Sequence, residues 1–404
     1  MKKRRLKLKF KILLFIFIIL ITCCSIFYIS KELLIEETLP IIEKITTTKK
    51  VDTKSTAKLT MVGDLLFEQP FYDAIDKGYD EDLYFSYVKG YFKNDDLSIA
   101  NMEVVIGNDD LKSSGTGYNF CAPESIGDLV STLDLEVLST ANNHSNDRGL
   151  DGINSTIDYF KNNTDIMTVG TYKTIQERNK KHILEINGIK FGFLSYTLGT
   201  NIKVDKNYRD LVGLYRDPDT KEFNNTYKEL LKSEIHNIEN DVDVIIVLMH
   251  WGKEFTNDYN SEQKEVAKFL NEQGVDIIVG SHSHSIQPIE WIGDKNKTLV
   301  FYSLGNFVSA DDDISRNGEK FDNAYQFGLL ANLEVIKDKE TIEITNIKTE
   351  PIINYFDVNM NKFRLLPLSE YSSDFETTHY RYKNNFTKQF VIDMYNKVID
   401  KKFQ

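Results

Sequence analysis

An α/β fold whose sheet is buried on both faces is what this sequence predicts, on three observations. Short apolar, β-prone runs recur at residues 59–62, 97–100, 135–138, 191–194, 244–249, 277–279 and 299–302. They lack polar alternation, as strands covered on both sides do, and helical patterns separate several of them. Polar, ligand-type side chains stand where runs stop: Ala141-Asn142-Asn143-His144, Met249-His250-Trp251-Gly252 and Gly280-Ser281-His282-Ser283-His284. Open α/β folds build their sites at that rim of the sheet.

The intervening segments carry helix signals. In residues 260–273, Asn260 and Gln263 suit an N-terminal capping pair, Val266, Phe269 and Leu270 form the apolar stripe, and Gly274 supplies a left-handed end. Leu150, Ile153, Ile157 and Phe160 repeat that stripe after the Asn-Asn-His segment. Beyond residue 302 the alternation fades. Residues 328–336 and 341–348 bracket Lys337-Asp338-Lys339-Glu340 and predict a hairpin, residues 351–385 read as irregular, and residues 386–402 as a last helix.

The N-terminus has a different character. Seven of the first eleven residues are Lys or Arg, leaving 42 basic against 61 acidic residues in the rest, a net of −19. Such a body repels nucleic acid, which is excluded as a partner. Residues 12–29 are uncharged and almost wholly apolar, and with Phe10 the run approaches the ~20 residues that span a bilayer. Five expected parts follow: a cytoplasmic basic tail (1–9), a transmembrane helix (10–29), a stalk (30–57), the α/β domain (58–310) and a C-terminal part (311–404) that completes or flanks it. The positive-inside rule puts the domain outside the cell. A cleaved signal peptide or lipid attachment at Cys23 are the alternatives, opposed by the length of the run and by Thr22 before the cysteine. Cys121 is the lone cysteine beyond the apolar segment, so no disulfide is expected in the domain.

Each polar motif alone has an ordinary reading. Gly63-Asp64 suits a turn, Asn101 and Glu103 a solvated strand end, Asn142-Asn143 a left-handed turn, and His282 and His284 a polar loop. His182 and His236 lack ligand-type neighbours and read as surface residues. The repetition at successive strand ends is what ordinary turns do not explain. Carboxylate and amide oxygens mixed with imidazoles suit divalent manganese, iron or zinc, with two ions bridged by a carboxylate.

At these residues the sequence resembles the CapA-type poly-γ-glutamate capsule synthesis proteins, whose fold is similar to the layered sandwich of calcineurin-like metallophosphoesterases. The matching stretches are Met61-Val62-Gly63-Asp64, Asn101-Met102-Glu103, Ala141-Asn142-Asn143-His144 with Asp147 and Gly149, His250-Trp251-Gly252-Lys253-Glu254, Gly280-Ser281-His282-Ser283-His284 with Gln287-Pro288-Ile289-Glu290, and Tyr302-Ser303-Leu304-Gly305-Asn306-Phe307. The resemblance implies Asp64, Glu103, Asn143, His250, His282 and His284 as metal ligands, Glu103 standing where phosphoesterases place a bridging aspartate. It implies His144 as the catalytic residue over the substrate, with Asn142, Trp251, Glu254 and Asn306 lining or supporting the pocket. Trp251 also reads as packing and Asn306 as a structural turn. Two positions depart from the phosphoesterase pattern: Leu66 stands where Asp-x-His has its histidine, and Ser145 where an acid follows Asn-His. The expected partners are the membrane, an anionic polymer such as poly-γ-glutamate, and membrane subunits of a polymer-synthesis complex. The expected role is metal-dependent hydrolysis or transfer on that polymer, or a non-catalytic assembly role.

Overall fold

The computed structural model describes residues 19–22, 25, 27–28, 54–117, 119–294, 297–311 and 318–404. Of the expected membrane segment only residues 19–22, 25, 27 and 28 are among them, and these are helical; the rest of that segment, the basic tail and residues 30–53 lie outside the described residues. No described helix is long and apolar enough to cross a membrane. The chain divides into two units, Met1–Lys54 and Ser55–Gln404, and the second carries the α/β architecture.

Its first half contributes strands β1 (Lys54–Leu65), β2 (Leu97–Met102), β3 (Val105–Ile106), β4 (Cys121–Ala122), β5 (Val137–Ser139) and β6 (Met167–Val169). The middle adds β7 (Ile183–Ile186), β8 (Ile189–Thr197), β9 (Val244–His250), β10 (Ile277–Ser281), β11 (Ile289–Ile292) and β12 (Thr298–Phe301). The last are β13 (Asn306–Val308), β14 (Phe327–Asp338), β15 (Thr341–Phe356) and β16 (Phe363–Pro367). One mixed sheet runs β16-β15-β14-β1-β2-β5-β6, with β13 also paired to β1, and a second runs β11-β12-β10-β9-β8-β7. All seven predicted runs overlap strands of these two sheets, with residues 135–136 and 302 outside β5 and β12.

The uninterrupted apolar runs have a simple cause. Along β9, Val244, Ile246 and Leu248 enter the core shared by the two sheets, with Met61, Ile99, Val137 and Phe193. Ile245, Val247 and Met249 face the other way, against Leu231 and Ile235 of helix Asn225–Ile238 and Val266 and Leu270 of helix Ser261–Glu272. The first sheet does the same with Val62, Ala100 and Leu138, which meet Ile126, Val130 and Phe160 from helices Glu124–Ser131 and Gly149–Asn163. The layers are therefore helix, sheet, sheet, helix, and a residue of either parity along a central strand is buried.

The predicted cap of helix Ser261–Glu272 is present: Gln263 N–H donates to Asn260 Oδ1 at 2.8 Å and Asn260 N–H to Gln263 Oε1 at 2.9 Å. Three expectations change. The first strand begins at Lys54, four residues inside the expected stalk. Gly63-Asp64 is not a turn but the interior of β1, where a Cβ on Gly63 would meet the Gly305 carbonyl oxygen at 1.8 Å, so glycine is what lets β1 and β13 close up. Residues 351–385 are not irregular throughout: β15 continues to Phe356 and pairs with β16, because Phe356, Phe363 and Leu365 are buried there. The expected hairpin is β14–β15, and the last helix is Lys388–Val398, its first turn capped by Thr387 Oγ1. The C-terminal part thus completes the first sheet.

Candidate metal centre

Parallel β1, β2 and β5 of one sheet and β8, β9 and β10 of the other end at the same edge of the sandwich. Asp64 is near the end of β1, Glu103 follows β2, Asn143 and His144 follow β5, His250 closes β9, and His282 and His284 follow β10. All are buried. His282 and His284 take left-handed backbone (φ 88° and 50°), folding the loop back over the carboxylates.

Two triads result, Glu103–His250–His282 and Asp64–Glu103–His284, each with its ligand atoms within 4.8 Å of one another. Glu103 belongs to both. Its Oε1 lies 3.4 Å from His250 Nε2 and 3.7 Å from His284 Nε2, and neither Glu103 oxygen has a hydrogen-bond partner. His250 Nε2 also faces Asn143 Oδ1 at 2.8 Å and His282 Nδ1 at 3.0 Å. One ring nitrogen cannot satisfy that many acceptors by hydrogen bonding, whereas a cation can be shared by them.

The electrostatics agree. Burial, then repulsion by Asp64, holds the Glu103 carboxyl well above its usual range. Burial also raises Asp64, against the pull of His284 and the hydrogen bond from Asn101. Burial, then neighbouring imidazoles, holds His250 and His282 well below ordinary histidine, leaving neutral rings suited to metal coordination. Two buried carboxylates without cationic partners are costly unless a cation is shared between them. The donor set, carboxylate oxygens with imidazole nitrogens and one amide oxygen, fits divalent metal.

Around the cluster stand residues that orient it. Asn101 donates to Asp64 Oδ1 at 2.7 Å, Ser281 Oγ lies 2.8 Å from His250 Nδ1, and Asn306 Oδ1 accepts from His284 Nδ1 at 2.8 Å. Asn306 donates in turn to the Tyr325 carbonyl at 3.0 Å. Asn142 donates to the Met102 carbonyl at 2.7 Å and accepts the His144 N–H at 3.1 Å, shaping the turn. Trp251 is fully buried, stacked on Tyr302 and donating to its carbonyl at 2.9 Å. Asn142, Trp251 and Asn306, expected to line or support the pocket, sit behind the ligands with partners inside the protein, where they support it.

Beside the triads opens a cleft of about 170 Å³, lined by His144, His284, Glu254, Phe120, Phe255 and Tyr325 among others. Of the four expected pocket residues, Glu254 alone lines it. His144 Nδ1 is 2.7 Å from Asp147 Oδ2, and its Nε2 is 3.4 Å from Asn201 Nδ2. The acid that orients His144 is three residues downstream of it. Ser145, adjacent to the histidine, instead donates its hydroxyl to the Thr140 carbonyl at 2.6 Å. Asn201 and Phe255 have no sequence signal; Asp147 had one only as a matched position, without a role. His236 is exposed as expected, whereas His182 is half-buried against Tyr172.

A four-layer α/β sandwich with a buried carboxylate–imidazole cluster at its strand ends, a donor set that fits a metal site, defines the class of fold and site. Within it, the chain belongs to the bacterial capsule synthesis protein family PGA_cap, whose model matches residues 58–311. It is 30% identical over 267 residues to the PGA biosynthesis protein CapA of Bacillus subtilis (strain 168), covering 65% of this chain and 66% of that one. It is 27% identical over 304 residues to the capsule biosynthesis protein CapA of Bacillus anthracis, covering 74% of this chain and 71% of that one. Among solved structures it is similar to a phosphatase of Mycoplasma pneumoniae (14% identity, TM-score 0.44, 74% of this chain and 94% of that one). It is also similar to the calcineurin-like phosphoesterase YfkN of Bacillus subtilis (15% identity, TM-score 0.41, 74% and 90%). The family expected from the motifs is the family found.

Proposed function

We propose that this chain acts in capsule synthesis as a membrane-anchored extracellular protein that carries out metal-dependent hydrolysis or transfer at an amide or ester bond of poly-γ-glutamate or a related anionic polymer. The observation that carries the reading is Glu103: a buried carboxylate shared by two ligand triads and left without a hydrogen bond, beside a histidine held by its own carboxylate. Asp64, Glu103, Asn143, His250, His282 and His284 would hold two divalent ions (manganese, iron or zinc). When bound, such ions supply Lewis-acid chemistry at a carbonyl and at water.

The chain's own residues do the rest. Asp147 accepts the Nδ1 proton of His144 and so leaves Nε2 as the acceptor towards the cleft. From there Nε2 of His144 takes a proton from the attacking water as the new C–O bond forms, and passes it to the departing atom as the bond from that atom to the polymer carbonyl breaks. Asn306 and Asn101 hold His284 and Asp64 in register. The test is His144→Ala in the producing strain, at matched protein level and metal content. Loss of surface polymer supports the catalytic reading, and normal polymer overturns it.

A second reading, a non-catalytic subunit of a membrane polymer-synthesis complex, is favoured by Leu66. This buried apolar residue lines the cleft where the phosphoesterase pattern has a histidine. In it the ligand residues would hold metal that supplies positive charge for the polymer's carboxylates or for the fold. Anchoring rests on the basic tail and apolar run of residues 1–29. Protease added to intact cells should cut within residues 30–53, and protection until lysis would overturn the topology.

A further inference from the structure

Phe255 is bulky, half-buried, and held in left-handed backbone at φ 60°, a conformation that glycine adopts freely and large side chains rarely do. The conformation is pinned from the ligand loop: the Phe255 N–H donates to the carbonyl of Ser283, between His282 and His284, at 2.8 Å. It carries the ring to the open side of the site, 6.0 Å from the His284 ring and 6.2 Å from that of Tyr325. Across the cleft, Phe120 stands edge-on to His144 at 4.6 Å. Both imidazoles in the cleft wall thus have an aromatic beside them. A residue there for packing alone would gain little from half-burial and would lose by its backbone.

We propose that Phe255 is a substrate-contacting residue that reads the linkage of the polymer, packing against methylene groups in its main chain. This rests on the polymer reading above. Besides the two histidines, the cleft wall carries the rings of Phe120, Phe255 and Tyr325 with the apolar Leu66 and Pro70, and the acids Glu68, Glu254 and Asp311. Such walls repel a chain's carboxylates and accept its uncharged stretches. In a γ-linked glutamyl chain two methylenes and an amide separate successive charged centres along the backbone. In an α-linked chain of equal charge, the methylenes lie in the side chains, each ending in a carboxylate. Only the first would offer an apolar main-chain segment to Phe255 while its carbonyl lies beside the candidate ligands.

The experiment measures binding of γ-linked and α-linked glutamate oligomers of equal length to the full-length, metal-loaded protein. The parent should prefer the γ-linked chain by ~tenfold, the worth of two methylene contacts. Phe255→Gly should abolish that preference while keeping metal content and a thermal midpoint no lower than the parent's, since glycine relieves the backbone; Phe255→Tyr should keep the preference. Phe255→Gly that retains the preference, or that lowers the midpoint with affinity unchanged, would overturn the proposal. Equal binding of both chains by the parent overturns it while the polymer reading stands, and binding of neither overturns both.

Discussion

Asp147 and His144 form one buried unit: Oδ2 of the acid lies 2.7 Å from Nδ1 of the imidazole and also accepts the Phe120 N–H at 2.5 Å. The carboxylate is thereby anchored to the cleft wall as well as to the ring, so imidazole orientation and cleft shape are set together.

Asp147→Asn keeps the size of this group and removes its charge. Metal content and thermal midpoint should stay near those of the parent while surface polymer falls, by up to the ~10²-fold that general-acid help supplies at its lower end. Unchanged polymer at matched protein level would reduce the pair to a turn-shaping role.

Glu103→Gln should act with opposite signs on the two forms of the protein. Without metal, it replaces a buried, unpartnered carboxyl beside Asp64 and should stabilise the fold by about 1–3 kcal/mol. With metal, it removes the shared ligand, so the stabilisation gained on adding manganese or zinc should shrink. Denaturant unfolding with and without chelator measures both; a loss of stability in chelator would refute the account of Glu103.

His379 is buried, donates from Nε2 to the Asn354 carbonyl at 2.9 Å and accepts the Arg381 N–H on Nδ1 at 3.0 Å. Burial, with Arg381 adding to it and the Asn354 bond opposing, lowers its pKa to about 3. The unfolded chain takes up this proton near the ordinary histidine value, about 6.5, while the folded protein refuses it until about 3. Stability is therefore full above that window and lost as pH falls through it, at up to ~1.4 kcal/mol per pH unit. His379→Gln should flatten this slope in urea unfolding at about pH 7 and about pH 5. Equal slopes in both proteins would assign the proton elsewhere.

Trp251 should behave as core, whatever its position beside His250. Trp251→Ala should cost about 3–5 kcal/mol by opening a cavity against Tyr302 and Gly280. Trp251→Phe should recover most of it, short of the hydrogen bond to the Tyr302 carbonyl. If the alanine variant kept its midpoint and lost only polymer, the pocket role would stand over the packing one.

The strands and the ligand cluster were legible because both are written locally. An apolar run such as residues 244–249 must be covered on both faces, and a His or Asp at its end lies at the sheet edge. The capping pair Asn260/Gln263 is equally local. What surrounds the ligands was not, because it is set by contacts between distant segments. Asn201 reaches His144 from a loop 57 residues away, and the Phe255 N–H reaches Ser283. Trp251 was left between pocket lining and packing because tryptophan beside a ligand histidine reads the same whether it turns inward or outward; its inward turn depends on the Tyr302 carbonyl. The continuation of β15 depends on β16 in the same way.

The first strand of the domain lies between β2 and β14, with β13 also paired to it. One neighbour is made soon after it and the other near the end of the chain. A nascent chain that has left the ribosome through residue 306 holds every ligand from Asp64 to His284, yet one flank of β1 still waits for its partner. Pairings so far apart in sequence form slowly. The sheet that carries Asp64 is therefore completed only after every candidate ligand has been made, by the hairpin β14–β15, which contributes none of them.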